Sequence, residues 1–197
     1  ALLGHEADRP TALATVDARV LAAKPAAALY HPYIHEAGER GPFIDPAARA
    51  QLIGLSTRTG YADLARAVYE GLALAARDCY AAMGHVPEEV RIAGGAARSR
   101  ALKTILASAL DTPVRETSRQ EAGAAGAAMM AAVAVGVFDD MAAAAARWVT
   151  PLLGALVHPE PELARLYERL FPIYVATRTA MPPIWAELMA LRSGDKA

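Results

Sequence analysis

Gly94, Gly95, Ala96 and Ser99 are the residues whose types and spacing best suggest chemistry, within EVRIAGGAARSRALKTILASAL from Glu89 to Leu110. A segment alternating apolar and polar residues runs into two glycines, and helical spacing starts near Ser99. Glycines let another group approach the backbone closely, and the free N–H groups of a helix start favour an anion or a ribose hydroxyl. A nucleotide suits such a turn. The spacing is neither GxxxxGK[ST] nor GxGxxG. The same residues also describe a tight strand-to-helix turn that only packs, with Ser99 as its N-cap, and the pattern leaves both readings open.

Two further constellations carry weaker signals. In EAGAAGAA, from Glu121 to Ala128, small residues at i and i+3 allow a helix to lie very close to a sheet or another helix. Glu121 suits a helix start, and the stretch reads either as close packing or as a thin helix with ligand at its amino end. The Gly/Pro-rich loop from Glu36 to Asp45 holds three carboxylates and Arg40, a set that can line a polar cleft or simply sit on the surface. His31 and His35 are four apart, but Pro32 and the Tyr/Ile surroundings argue for extended chain, so no metal site is expected. Glu88-Glu89 and Asp139-Asp140 read as solvated element ends, and Cys79 as a core residue on the apolar face of its helix. No Ser/His/Asp arrangement stands out.

The elements that must position these residues follow from periodicity. Helical patterns cover Thr11–Lys24, a short Pro46–Gly54 segment, a long run from Thr59 to Gly84, Ser99–Leu110, Gln120–Gly136, Asp140–Arg147 and Glu162–Thr179. A short strand leading into a long loop is expected over Ala28–Asp45, and extended pieces at Pro87–Ala93 and at Thr112–Arg115. Trp148 to Pro161 reads as a Pro-punctuated connection. The central order of helix, strand, helix, strand, helix argues for an α/β layer with crossover connections. Asp63, Asp78 and Asp111 read as a helix start, a helix surface and a turn.

Composition bounds the rest. The 197 residues include 48 alanines, so the 54% hydrophobic share falls to about 30% once Ala, which buries little, is set aside. A net charge of −1 with scattered basic residues does not fit a nucleic-acid binder. The uncharged run Ala122–Phe138 is short and Ala/Gly-rich for a membrane span, so a buried helix is expected instead. One Cys and no CxxC fit a reducing, cytoplasmic setting. The opening ALLGHEADRP does not read as a signal peptide; it starts abruptly without Met, as a fragment would.

Taken in order, HPYIHEAGERGPFIDPAARAQLIGL, RAVYEGLALAARDCYAAMG, EVRIAGGAARSRALKTILASALDTPV and EAGAAGAAMMAAVAVGVFDD resemble the carboxy-terminal domain of the FGGY carbohydrate kinases, over Leu29 to Arg178. GERGPF, ARDCYAAMG and RWVTPLL look closest to the xylulose and erythritol kinase branch. The resemblance implies an α/β, actin-like (ribonuclease H-like) ATPase domain, with residues 29–158 as the nucleotide-binding part, 1–28 as a helical lead-in of the same domain and 159–197 as a helical extension. It implies ATP with Mg2+ held mainly through its phosphates, a sugar or polyol acceptor, a further amino-terminal domain as partner, and a possible homodimer. Gly94, Gly95 and Ala96 match the family's adenosine-binding turn, with Ala96 where a third Gly is frequent. Ser99 matches a position where a polar side chain contacts adenine or ribose. Arg98 and Lys103 stand where they could border the nucleotide, but neither they nor Arg40 is assigned a role. The family's catalytic Asp and phosphate-binding hairpin lie upstream of the segments matched here, so no catalytic residue is expected in this chain and it should be inactive alone. A noncatalytic actin-like interaction or regulatory domain is the alternative reading.

Overall fold

The computed structural model describes residues 9–119 and 121–194. The amino-terminal decapeptide read for a leader lies largely outside them, as does Gln120 at the expected start of the Ala-rich helix. In chain order the elements are α1 (Arg9–Ala22), β1 (Leu29–His31), β2 (Gln51–Ile53), α2 (Tyr61–Met83), β3 (Val90–Ile92), α3 (Arg100–Leu110), β4 (Val114–Thr117), α4 (Ala122–Ala134), α5 (Met141–Trp148), β5 (Leu153–Val157), α6 (Pro161–Ala180) and α7 (Pro182–Ser193).

Local chemistry sets the ends of the two helices that frame the central turn. The Gly60 amide donates to Asp63 Oδ2 at 2.9 Å to start α2, and Gly84, at φ 73°, ends it. Ser99 caps α3, which closes on Asp111 in the left-handed region at φ 50°. β3 and β4 pair in parallel, Val90 opposite Val114 and Ile92 opposite Glu116, with α3 as the crossover. β5 then adds antiparallel to β4, giving the order β3-β4-β5.

The main core lies between this sheet and the helices. Val20 of α1, Ala73 of α2, Ala101, Ile105 and Ala109 of α3, Val90, Val114, and Leu163 and Tyr167 of α6 are buried together. The lead-in and the extension therefore share one core with the central span. Alanine at the contacts lets the helices approach closely. A Cβ added to Gly71 of α2 would stand 2.3 Å from the Tyr30 carbonyl oxygen, so α2 rests directly on the β1 backbone.

A buried ion pair fastens α1 to this core. Arg66 Nε donates to Glu70 Oε1 at 2.7 Å, both side chains being almost fully buried. The guanidinium also donates to the Val20, Leu21 and Ala23 carbonyls at 3.1, 3.2 and 3.0 Å, capping the carboxyl end of α1. Glu70 accepts in addition from Tyr167 Oη at 2.9 Å and from the amide of Ala26, which sits at φ 55°. Its carboxylate thus pins the chain reversal between α1 and β1.

Several expectations need correction. No helix forms over Pro46–Gly54: Asp45 Oδ1 accepts from the Ala47 amide at 2.8 Å in a turn, and Gln51–Ile53 pairs with β1 instead. Satisfying the backbone groups of a lone β1 outweighs the modest helix preference of the segment. The Trp148–Pro161 connection contains a strand, β5. Asp78 is buried, its carboxylate 2.8 Å from Arg178 Nε, and is no surface residue. Glu89 is no free solvated end either, because its carboxylate joins Arg91 and Arg115. α4 is not a buried helix: of its described residues only Ala132 is buried, and Gly123 and Gly126 face open space. Among the described residues α4 packs chiefly on α5, so its small-residue stripe has no sheet to lie against. No helix among the described residues is long and apolar enough to cross a membrane.

Candidate functional site

The parallel pairing of β3 and β4 brings their carboxyl ends to one edge, where ligands of open α/β sheets commonly bind. β3 hands the chain to Gly94, whose φ of 79° and ψ of −161° belong to a region open in practice only to glycine. Gly95–Arg98 then form one 3-10 turn, closed by Ala97 N–H to Gly94 O and Ser99 N–H to Ala96 O, both at 3.2 Å. The backbone of Gly94, Gly95 and Ala96 is exposed, while Ala97 beneath it is buried. A Cβ built on Gly95 meets no heavy atom within 4 Å, so nothing within the fold requires glycine there. The space above this backbone is open.

Ser99 is 4% exposed and its hydroxyl is already engaged. It donates to Asp17 Oδ1 at 2.6 Å and accepts from the Leu102 amide at 3.0 Å. Asp17 Oδ2 accepts from the Ala101 amide at 3.1 Å. The Ala101 and Leu102 amides of α3 are thus engaged by side chains of the same chain, and Ser99 is the N-cap of the alternative reading. Burial, aided by the Asp17 charge, pushes the pKa of the Tyr69 phenol up.

Two hollows flank the turn. One, of about 310 Å³, is lined by Tyr69, Leu72, Gly95, Ala96, Ser99 and Leu102 and is mainly apolar. The other, of about 390 Å³, lies at the strand ends and is polar, with Gly94, Gly95, Arg98, Glu116, Ser118 and Arg119 on its walls. Arg119 donates to the Trp148 carbonyl, while its Nε is buried without a hydrogen-bond partner among the described residues. Arg98 is exposed beside this hollow. Lys103 pairs with Glu116, whose side chain forms part of the wall.

The other sequence candidates fall elsewhere. In the Glu36–Asp45 loop, Glu39 and Asp45 are paired through their backbones, and their carboxylates accept from loop amides. Phe43 of this loop stacks on Trp185 and lies under the Arg178 guanidinium. The loop is held to α6 and α7 and lines neither hollow. His31 is fully buried, with Nε2 3.0 Å from the Tyr174 carbonyl oxygen and Nδ1 3.0 Å from Gln51 Nε2. Burial lowers its pKa. Among the described residues no group of three or more His, Cys, Asp or Glu could hold a metal ion. Asp17, Tyr69 and Arg119 were missed by pattern. Asp17 is 82 residues from Ser99, and only its acidic type inside an otherwise apolar stretch of α1 hinted at a buried role.

Residues 3–135 match the family model of the FGGY family of carbohydrate kinases, C-terminal domain, and the chain belongs to that family. It is 56% identical over 167 residues to an erythritol kinase of Brucella abortus, covering 85% of this chain and 32% of that protein. Among solved structures it is similar to xylulose kinase from Rhodospirillum rubrum, with a TM-score of 0.74 and 30% identity over 92% of this chain and 36% of that one. Gluconate kinase from Lactobacillus acidophilus shares the fold, with a TM-score of 0.78 at 23% identity, over 94% of this chain and 37% of that one. The α/β, actin-like architecture expected from the sequence is the fold of these kinases. The chain spans about a third of the length of the curated relatives it matches.

Proposed function

We propose that this chain is the adenosine-binding, carboxy-terminal part of an ATP-dependent polyol kinase that transfers the γ-phosphoryl group of ATP to a hydroxyl of an erythritol-type substrate. The observation that carries the nucleotide reading is Gly95. It is a glycine that neither backbone angle nor packing demands, beside an apolar hollow of about 310 Å³. The erythritol assignment is supported by 56% identity to an erythritol kinase, against 29% to a xylulose kinase of Staphylococcus epidermidis.

Gly94 sets the backbone path, Gly95 and Ala96 offer the surface on which the nucleoside lies, and Tyr69, Leu72 and Leu102 exclude water from it. Ser99 supports this surface from below and presents little free hydroxyl to the ligand. The polar hollow, with Arg98 and Arg119, lies on the side where phosphates would leave the nucleoside. Mg2+ would arrive with those phosphates and neutralise charge developing on them. Asp63 accepts from the Gly60 amide at the start of α2, Asp111 stands at the end of α3 and Asp78 pairs with Arg178, and none is assigned as the base for the acceptor hydroxyl. The isolated chain should be inactive.

Gly95→Val in the full-length kinase tests the nucleotide assignment. The KM for ATP should rise at least about tenfold, equivalent to about 1.4 kcal/mol, with Tm little changed because the added Cβ meets no heavy atom within 4 Å. An unaltered ATP affinity refutes the assignment. A coupled assay on the isolated chain with erythritol, xylulose and glycerol should show no turnover, and robust turnover refutes the need for a further domain.

A further inference from the structure

We propose that Asp17 of α1 is a positioning residue for nucleoside binding: by holding Ser99 and the first turn of α3 it fixes the height and tilt of the Gly95–Ala96 surface. The inference rests on the nucleoside reading of that surface. Asp17 is 6% exposed and lies outside the turn in sequence, yet both its carboxylate oxygens are spent on the turn, one on Ser99 Oγ at 2.6 Å and one on the Ala101 amide at 3.1 Å. Ser99 in turn receives the Leu102 amide, so two successive amides of α3 are held, directly or through one hydroxyl, by a single carboxylate. Tyr69 of α2 and Ser99 both line the apolar hollow, and Ser99 ties the floor of that hollow to the carboxylate behind it.

The electrostatic consequence separates this turn from a phosphate cradle. A helix start attracts negative charge through its free amides and dipole. Here that attraction is already met by an internal carboxylate, and a phosphate placed on the same amides would face a buried negative charge beside them. The surface above Ser99 is left for a neutral group, a base or a ribose, and its geometry is as exact as the Asp17 contacts make it.

The test uses the full-length kinase with Asp17→Ala, Asp17→Asn and, as a structural control, Asp140→Ala. Asp140 caps α5 through the Ala143 amide at 2.7 Å, away from both hollows. Asp17→Ala should raise the KM for ATP about tenfold, the scale expected when buried donors lose their acceptor, with the polyol KM and kcat at saturating ATP within about twofold. Asp17→Asn, which keeps an oxygen for Ser99 but turns an amide donor toward the Ala101 N–H, should recover part of the loss and give an intermediate KM. Asp140→Ala should lower Tm without moving the ATP KM. Should Asp17→Ala lower Tm and leave the ATP KM as the control does, Asp17 is merely structural and the proposal is overturned. Should Asp17→Ala fail to fold, Asp17→Asn decides by the same two readouts, an intermediate rise in ATP KM upholding positioning and an unchanged one overturning it. If Gly95→Val raises the ATP KM while neither Asp17 variant does, the positioning role falls and the nucleoside reading stands. If none of the three moves it, both fall together.

Discussion

Replacing Glu70 by Ala removes one carboxylate and strands three groups at once. Arg66 keeps a buried charge, while the Tyr167 hydroxyl and the Ala26 amide lose their acceptor. Breaking a buried pair by deleting one partner costs about 3–5 kcal/mol, because the remaining charge is desolvated without compensation. At about 2–4 °C per kcal/mol for a chain of this size, Tm should fall by roughly 6–20 °C. A double-mutant cycle isolates the pair from packing losses. Arg66→Met with Glu70→Leu removes both charges and should cost less than the sum of the single substitutions by about 2 kcal/mol or more. Full recovery is not expected, since the Val20, Leu21 and Ala23 carbonyls still lose the guanidinium that caps them. Urea unfolding of wild type, Arg66→Met, Glu70→Leu and the double variant, followed by circular dichroism, gives the cycle, and the same measurement on Glu70→Ala gives its cost. Additive single and double effects, or a Glu70→Ala cost below about 1 kcal/mol, would refute the claim that this pair anchors α1.

Burial holds the His31 pKa below its usual 6.5, so the neutral ring is favoured in the native state. Its contribution is complete above the unfolded pKa and is lost as pH falls below about 6.5 toward the native value, where only the unfolded chain takes up the proton. In melts from pH 8 to pH 5 the stability gap between wild type and His31→Gln should shrink toward low pH; a constant gap contradicts this. Gly71→Ala should destabilise, because its Cβ would stand 2.3 Å from the Tyr30 carbonyl oxygen and β1 must yield by about 1 Å. An overpacking cost of about 1–3 kcal/mol outweighs the gain of up to about 1 kcal/mol in helix propensity, and a higher denaturation midpoint would disprove the close approach.

The strongly periodic elements were legible. α2, α3 and α6 show their apolar stripes, Gly84 and Ser99 mark ends, and the switch of period at Val90–Ile92 marks the strand feeding the turn. What failed depended on partners distant in the chain. Gln51–Ile53 has a helix-compatible composition and becomes a strand only because β1 needs a neighbour. β5 is short and flanked by Pro151 and Pro159, and its pairing with β4 is a tertiary event. Asp78 reads as surface until Arg178, a hundred residues later, is placed beside it. In the site, glycine at Gly94 and Gly95 could be read directly. Which of the two answers to the backbone and which stands free required φ angles and open space. The buried hydroxyl of Ser99 and its tie to Asp17 left no periodic trace, because a single acidic residue in an amphipathic helix is ordinary.

The carboxylate seated at the start of α3 bears on competition inside a cell. Orthophosphate and other small oxyanions are abundant there, and a bare glycine-rich turn with free amides would hold them whenever no nucleotide was present. By engaging the Ala101 and Leu102 amides from within, the protein leaves the first turn of α3 less open to stray anions. On the nucleoside reading proposed above, the turn would then discriminate by shape and surface, and its occupancy would follow the supply of nucleoside rather than the phosphate content of its surroundings.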